Sequence, residues 1–128
     1  MSTEQNKTVV RRWIEGLNTR DIEFIDPLVD KIYTADFIVH NDVQPAVTMG
    51  REDLRQFART LLKDTPDFHL AIEDLVAEED RVASRLTLSG TDASTGKPVH
   101  LMIMQIWRIA GGQAAEAWQL AIPAATKL

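Results

Sequence analysis

Among the side chains of this 128-residue sequence that can move a proton or orient a ligand, His40 comes first. An imidazole with an ordinary pKa near ~6.5 both takes and gives a proton around neutrality. Asp42 stands two residues on, so in a strand it shares the face of His40 and can orient the ring or act as the base itself. The competing reading has His40 bonded to backbone at the end of an extended segment and Asp42 solvated on a loop. Gln105 lies in an otherwise apolar run, and a buried amide must find partners. It either orients a ligand carbonyl or ties down a neighbouring carbonyl of the sheet. Trp13 and Trp118 are flat, partly polar surfaces on which a planar ligand can stack, and core packing explains both equally well. His69 and His100 have no motif context and read as structural or surface residues.

Several chemistries are not supported by the residues present. With three scattered histidines and no cysteine, no zinc site is expected. No nucleophile elbow accompanies the serines, and no glycine-rich loop opens a helix after a strand, so neither a serine triad nor nucleotide phosphate binding is expected. Neither a zinc ion nor a nucleotide cofactor is expected from these residues. The formal charge of -5 argues against nucleic acid as a partner, because that affinity rests on clustered Lys and Arg. The start of the chain, Met1 to Gln5, has no secretory pattern, and the longest apolar runs fall far short of the ~20 residues of a membrane span. The expectation is a cytoplasmic protein without membrane contact.

The elements that must position these residues follow from periodicity. A chain of this length can bury roughly 70% of its unfolded surface, enough for one self-sufficient domain over residues 1–128. Ser2 and Gln5 form a potential capping box before Val9, Val10, Trp13, Ile14 and Leu17, which predicts a helix from about Thr3 to Leu17. Asp21 can cap a second helix carrying Ile22, Ile25, Leu28, Val29 and Ile32, with Pro27 able to divide or delay it. Leu54, Phe57, Ala58, Leu61 and Leu62 give a third helix between Gly50 and Pro66. The period then changes: Phe68 to Ala77, Val82 to Thr91, Pro98 to Ile109 and Gln113 to Ile122 read as strands. Helices followed by a meander predict an α+β domain with an antiparallel sheet.

Gly111-Gly112 suits a two-residue hairpin loop, which fixes a register. Ala110 then faces Gln113, and Gln105, Ile103 and Leu101 oppose Trp118, Leu120 and Ile122 on one face. Met102, Met104 and Ile106 share the other face with Ala115, Ala117 and Ala121. Both faces are largely apolar and three helices can cover only one, so the second is a candidate subunit interface. A single β-bulge would exchange the lists.

The ordered motifs point to a family. Asn18, Asp21 and Ile22 are followed by Phe37-x-x-His40, then by Gly50-Arg-Glu-Asp-Leu-Arg-Gln-Phe57 and Pro66-Asp-Phe68. Asp80-Arg-Val82, Ser89-Gly-Thr91, Gly96-Lys-Pro98, Trp107-Arg-Ile109 and Glu116-x-Trp118 complete the set. Spanning nearly the whole chain, this set resembles the SnoaL-like polyketide cyclases, a branch of the nuclear transport factor 2-like fold. The resemblance implies a cone-shaped α+β domain whose bent antiparallel sheet wraps three helices around a ligand pocket. It also implies a homodimer through the outer sheet face and cofactor-free ring closure, with a carboxylate as general acid and base. His40, at the F-x-x-H position, would lie near that pocket.

That carboxylate is expected four residues after the tryptophan of E-x-W, where this chain has Ile122. Isoleucine cannot move a proton. The resulting expectation is a cavity lined by Trp13, Phe37, Gln105, Trp118, Leu120 and Ile122, which binds or transforms a small apolar, polyketide- or terpenoid-like molecule. His40 and Asp42 would replace the absent carboxylate. The alternative is a non-catalytic ligand-binding or dimerisation domain of the same fold. Epoxide hydrolysis would need an Asp-Arg-Asp set that the last strand does not offer.

Overall fold

The computed structural model describes residues 2–41 and 45–123. Helix α1 (Thr3–Asn18) begins with the expected capping box in both directions: Gln5 N donates to Ser2 Oγ at 3.1 Å, and Ser2 N donates to Gln5 Oε1 at 2.9 Å. Helix α2 (Ile22–Ile32) is capped by Asp21, whose carboxylate accepts from Glu23 N at 3.0 Å. Pro27 neither divides nor delays this helix, which runs through it. The burial of Ile25, Leu28, Val29 and Ile32 on one side outweighs the hydrogen bond that proline removes. Gly16 lets the two helices touch, since a Cβ there would lie 2.2 Å from Leu28 Cδ2. Helix α3 (Arg51–Asp64) starts after Gly50, whose N–H donates to Asp53 at 3.0 Å, and stops just ahead of Thr65-Pro66.

Six strands form one curved, unclosed sheet in the order β2-β1-β6-β5-β4-β3. They are β1 (Tyr33–Asn41), β2 (Val47–Met49), β3 (His69–Glu78), β4 (Arg81–Thr91), β5 (Pro98–Ala110) and β6 (Gln113–Pro123). The meander from β3 to β6 is antiparallel as expected, but β1 pairs with β6 in parallel. The sheet is therefore mixed. This difference arises because β1 leaves α2 directly at Tyr33 and runs beside a strand that comes much later in the chain. The helices lie against one face, where Trp13, Ile14, Leu17, Val29, Phe68, Val82, Leu86 and Trp107 form the buried core.

Side chains also close the free edge of the sheet. Asn18 donates to Leu70 O and accepts from Leu70 N, both at 2.8 Å, so its amide imitates a neighbouring strand at edge strand β3. Arg20 donates to Phe68 O at 2.9 Å beside it.

The hairpin between β5 and β6 decides the site. Gly111 and Gly112 have φ of 58° and 81°, the left-handed values a two-residue turn demands, and Ala110 faces Gln113 as expected. Ile109 then faces Ala114, but Arg108 faces Glu116, so Ala115 is an extra residue. Beyond this bulge Gln105 opposes Gln119, Met104 opposes Leu120, and Met102 opposes Ile122. One added residue reverses the facing of every later side chain on a strand. Ala117, Gln119 and Ala121 therefore face the helices, while Trp118, Leu120 and Ile122 face outward.

Candidate functional site

Between helices and sheet lies a cavity of about 380 Å³, within the range that encloses a small molecule. Trp13, Ile14 and Leu17 of α1 and Leu54, Phe57 and Leu61 of α3 form its helical wall. The facing wall carries Leu86 and Leu88 of β4, Leu101, Ile103, Gln105 and Trp107 of β5, and Ala117, Gln119 and Ala121 of β6. Tyr33, Phe37, Val39 and Asn41 of β1 complete it. Alternation supplies this pattern, because every second residue of each strand points inward. Tyr33 stands edge-on to Trp13 and Phe37, with ring centroids 5.1 and 4.7 Å away. Burial pushes its phenol pKa far up, so the ring stays neutral in ordinary solution.

A row of polar side chains crosses this apolar wall. Trp107 Nε1 donates to Ser84 Oγ at 3.1 Å, and Ser84 Oγ donates to Gln105 Oε1 at 3.1 Å. Gln105 Nε2 donates to Gln119 Oε1 at 3.1 Å, and Gln119 Nε2 donates to Asn41 Oδ1 at 2.7 Å. The row therefore spans β4, β5, β6 and β1. Gln105 takes the place that strand parity and the need for a partnered amide give it. The bulge brings in Gln119, and the alternation of Phe37, Val39 and Asn41 along β1 brings in Asn41.

The expected site residues separate into two groups. Trp13, Phe37 and Gln105 line the cavity. Trp118, Leu120 and Ile122 do not: the bulge at Ala115 turns them to the opposite face, where Leu120 and Ile122 are 47% and 42% exposed. Ile122 thus points away from the cavity, and the expectation that it stands at a carboxylate position of the cavity wall does not fit this facing. His40 also lies on the outer face, since Phe37, Val39 and Asn41 take the inward positions of β1. Asp42 lies outside the described residues.

Outside the sheet, His40 joins a second constellation. Its Nε2 is 2.6 Å from Glu116 Oε2, and Arg108 Nε donates to Glu116 Oε1 at 3.0 Å. The His40 ring stacks on Trp118 at 4.9 Å with the planes 6° apart, and the Arg81 guanidinium lies 4.8 Å from the centre of the Trp118 ring. First the His40 bond and then the Arg108 bond hold the Glu116 carboxyl below its ordinary pKa. Arg85 of β4 donates from Nε to Asp74 Oδ2 at 2.7 Å. Among the described residues, no three His, Asp or Glu side chains gather as metal ligands.

A helix-backed curved sheet holding an apolar cavity with a polar row defines a class of small-molecule pocket domain. The sequence profile of the SnoaL-like domain matches residues 10–117, and the chain belongs to that family. No relative among curated proteins matches it. A protein of Jannaschia sp. CCS1, provisionally described as a SnoaL-like polyketide cyclase, superposes with a TM-score of 0.80 at 20% identity, covering 93% of this chain and 86% of its own. AclR of Streptomyces galilaeus, provisionally described as a hydroxylase, gives 0.78 at 24% identity over 94% and 80%. An LEH-like epoxide hydrolase of M. tuberculosis gives 0.73 at 13% over 94% and 84%. These likenesses establish the shared fold, on which different reactions are carried.

Proposed function

We propose that the chain holds a small, planar, largely apolar molecule of polyketide- or terpenoid-like character in this cavity, and that it does so as a homodimer. The observation that carries the reading is the wall itself: leucines and aromatic rings surround one interconnected row of amides. Apolar surface supplies affinity and the few polar groups orientation. Trp13 and Trp107 report on occupancy, and 9-fluorenone is a suitable planar probe. It should quench tryptophan emission in wild type and in Trp118→Phe, while Ala121→Phe, which fills the cavity, should weaken binding at least tenfold. Loss of the response in Trp118→Phe, or its survival in Ala121→Phe, would place the ligand elsewhere and reject the reading.

Met104, Ile106, Leu120 and Ile122, all exposed on the outer face of adjacent strands β5 and β6, support the homodimer. The helices cover the inner face only, and four large neighbouring apolar side chains gain most from a second copy of the same surface. Turnover, where it occurs, would run without cofactor, and we do not assign it to His40, whose ring lies on the outer face against Glu116 and Trp118. His40→Ala should then leave conversion of a substrate intact, and loss of conversion in that variant would restore His40 as the acid and base.

A further inference from the structure

We propose that the contact between copies is a pH switch, in which a proton taken up by His40 drives the dimer apart. This rests on the reading of the outer face as the homodimer contact and adds to it the condition under which that contact opens.

The cluster around His40 lies inside any such contact. Strand registers place His40, Trp118 and Ile106 side by side on β1, β6 and β5, with Ile38, Glu116 and Arg108 in the row on one side and Leu120 and Met104 in the row on the other. Met104, Ile106, Leu120 and Ile122 together cover far less than the ~800 Å² that each partner brings to a contact of standard size, so a copy seated on them covers the neighbouring row as well. The side chains of His40 and Glu116 are 29% and 19% exposed, and association takes this remaining surface out of water.

A contact of this kind tolerates charges that are matched and opposes one that is not. Glu116 is ionised at neutral pH and can only accept, so its 2.6 Å contact puts the hydrogen of a neutral His40 ring on Nε2. Both carboxylate oxygens are then bonded, Oε2 to His40 and Oε1 to Arg108, and the guanidinium balances the one negative charge. An imidazole takes a further proton near neutrality, here on Nδ1, which adds a charge without adding a bond to Glu116. Arg81, also positive, lies against the same Trp118 ring. The carboxylates nearest Arg81 are Glu78, opposite it on β3, and Asp80 at 4.0 Å; both stay exposed at the edge of the sheet, and Asp74 is bonded to Arg85. Protonation therefore leaves an unmatched positive charge on each copy, and two-fold symmetry brings two of them into one contact. The monomer, in which water reaches the cluster, binds that proton more readily than the dimer. Association is full above the titration of His40 and is lost as pH falls through it.

Sedimentation or light scattering over a dilution series at about pH 8 and about pH 5.5 reads the dimer dissociation constant on either side of an ordinary imidazole titration. Far-UV circular dichroism at both values separates dissociation from unfolding. In wild type the constant should rise at least about tenfold at the lower pH, the effect of an uncompensated charge in a contact. His40→Gln keeps a neutral N–H for Glu116 and cannot ionise, and should hold the dimer equally at both values. His40→Lys carries a fixed charge and should associate at the higher pH only as weakly as wild type does at the lower. His69 and His100, each opposite Ser89 on its own strand, remain in both variants, so a pH response that survives in His40→Gln would move the switch away from His40 and overturn the proposal. A dissociation constant that is unchanged on acidification, or that falls, would overturn it and leave the homodimer standing. A folded wild type that is monomeric at the higher pH throughout the micromolar range would remove the homodimer and this inference with it.

Discussion

The two faces of the sheet are built from the same strands, yet they have opposite surroundings. Facing the helices, Leu86, Trp107 and Ala117 are almost completely buried, and the polar atoms among them are joined in one row. Facing away, Met104, Ile106, Leu120 and Ile122 stay exposed beside a cluster of charges around Glu116. Hydrophobicity alone does not separate the faces, because both are rich in large apolar residues. What separates them is the supply of cover: three helices satisfy one face and leave the other exposed. A single extra residue, Ala115, decides which half of β6 goes to which side.

Placing the same charge on each face breaks this comparison most strongly. Leu86→Asp puts a carboxylate among helices that cannot solvate it, and should cost on the order of 4 kcal/mol, a large part of the stability of a domain this size. Thermal unfolding should show little or no folded protein at 37 °C. Ile106→Asp, at a position 45% exposed, should keep its fold and halve the mass seen by light scattering at micromolar concentration. If the Ile106→Asp variant remains a dimer, the outer face is not the contact.

Deleting Ala115 sharpens the comparison by exchanging the halves of β6. Without the bulge, Trp118, Leu120 and Ile122 would turn into a cavity sized for Ala117, Gln119 and Ala121. Overpacking of this kind costs roughly 1–3 kcal/mol for each large misfit, so the deletion should lower the melting temperature by about 10 °C and abolish fluorenone binding. Trp118 emission should shift to the blue if the strand does re-register. Unchanged stability and binding would mean that the bulge does not set the facing.

The same residue marks the limit of what the sequence makes legible. Capping chemistry at Ser2, Gln5 and Asp21 and the three- and four-residue spacing of α1 and α3 are local, so those helices are readable to within about a turn. The Gly111-Gly112 turn is local too, and it places Ala110 opposite Gln113 correctly. The bulge is not local in that sense: Ala114-Ala115-Glu116 contains no glycine or other residue that advertises it, and an error of one position carries to the end of the strand. The β5 side of the cavity, including Gln105, was therefore legible, and the β6 side was not. The placing of His40 was illegible for a different reason. Its neighbours Glu116 and Trp118 lie far along the chain, on a strand that pairs with β1 in parallel, and no spacing motif encodes that pairing.

The smallest effect lies in the cluster around Glu116, which tests whether the outer face gains from its charges. The carboxyl is held below its ordinary pKa by His40 and Arg108, so the folded state binds a proton less readily than the unfolded state. Stability from this group is therefore fully present above the unfolded value of about 4.3, and is lost as pH falls through the lower folded value. Glu116→Gln keeps the size of the side chain and removes the charge. At pH 7 it should cost about 1 kcal/mol, since the two charge-assisted bonds are partly open to water. Denaturant titrations at intervals from about pH 7 to 3 should show the wild-type advantage constant above the unfolded value and shrinking below it, as the unfolded and then the folded carboxyl take up a proton. His40→Ala should remove the larger share of the same acid-sensitive component, because its bond to Glu116 is the first cause of the depression. An advantage that persists undiminished at pH 3 would show that Glu116 stabilises the outer face through packing, with its charge contributing nothing.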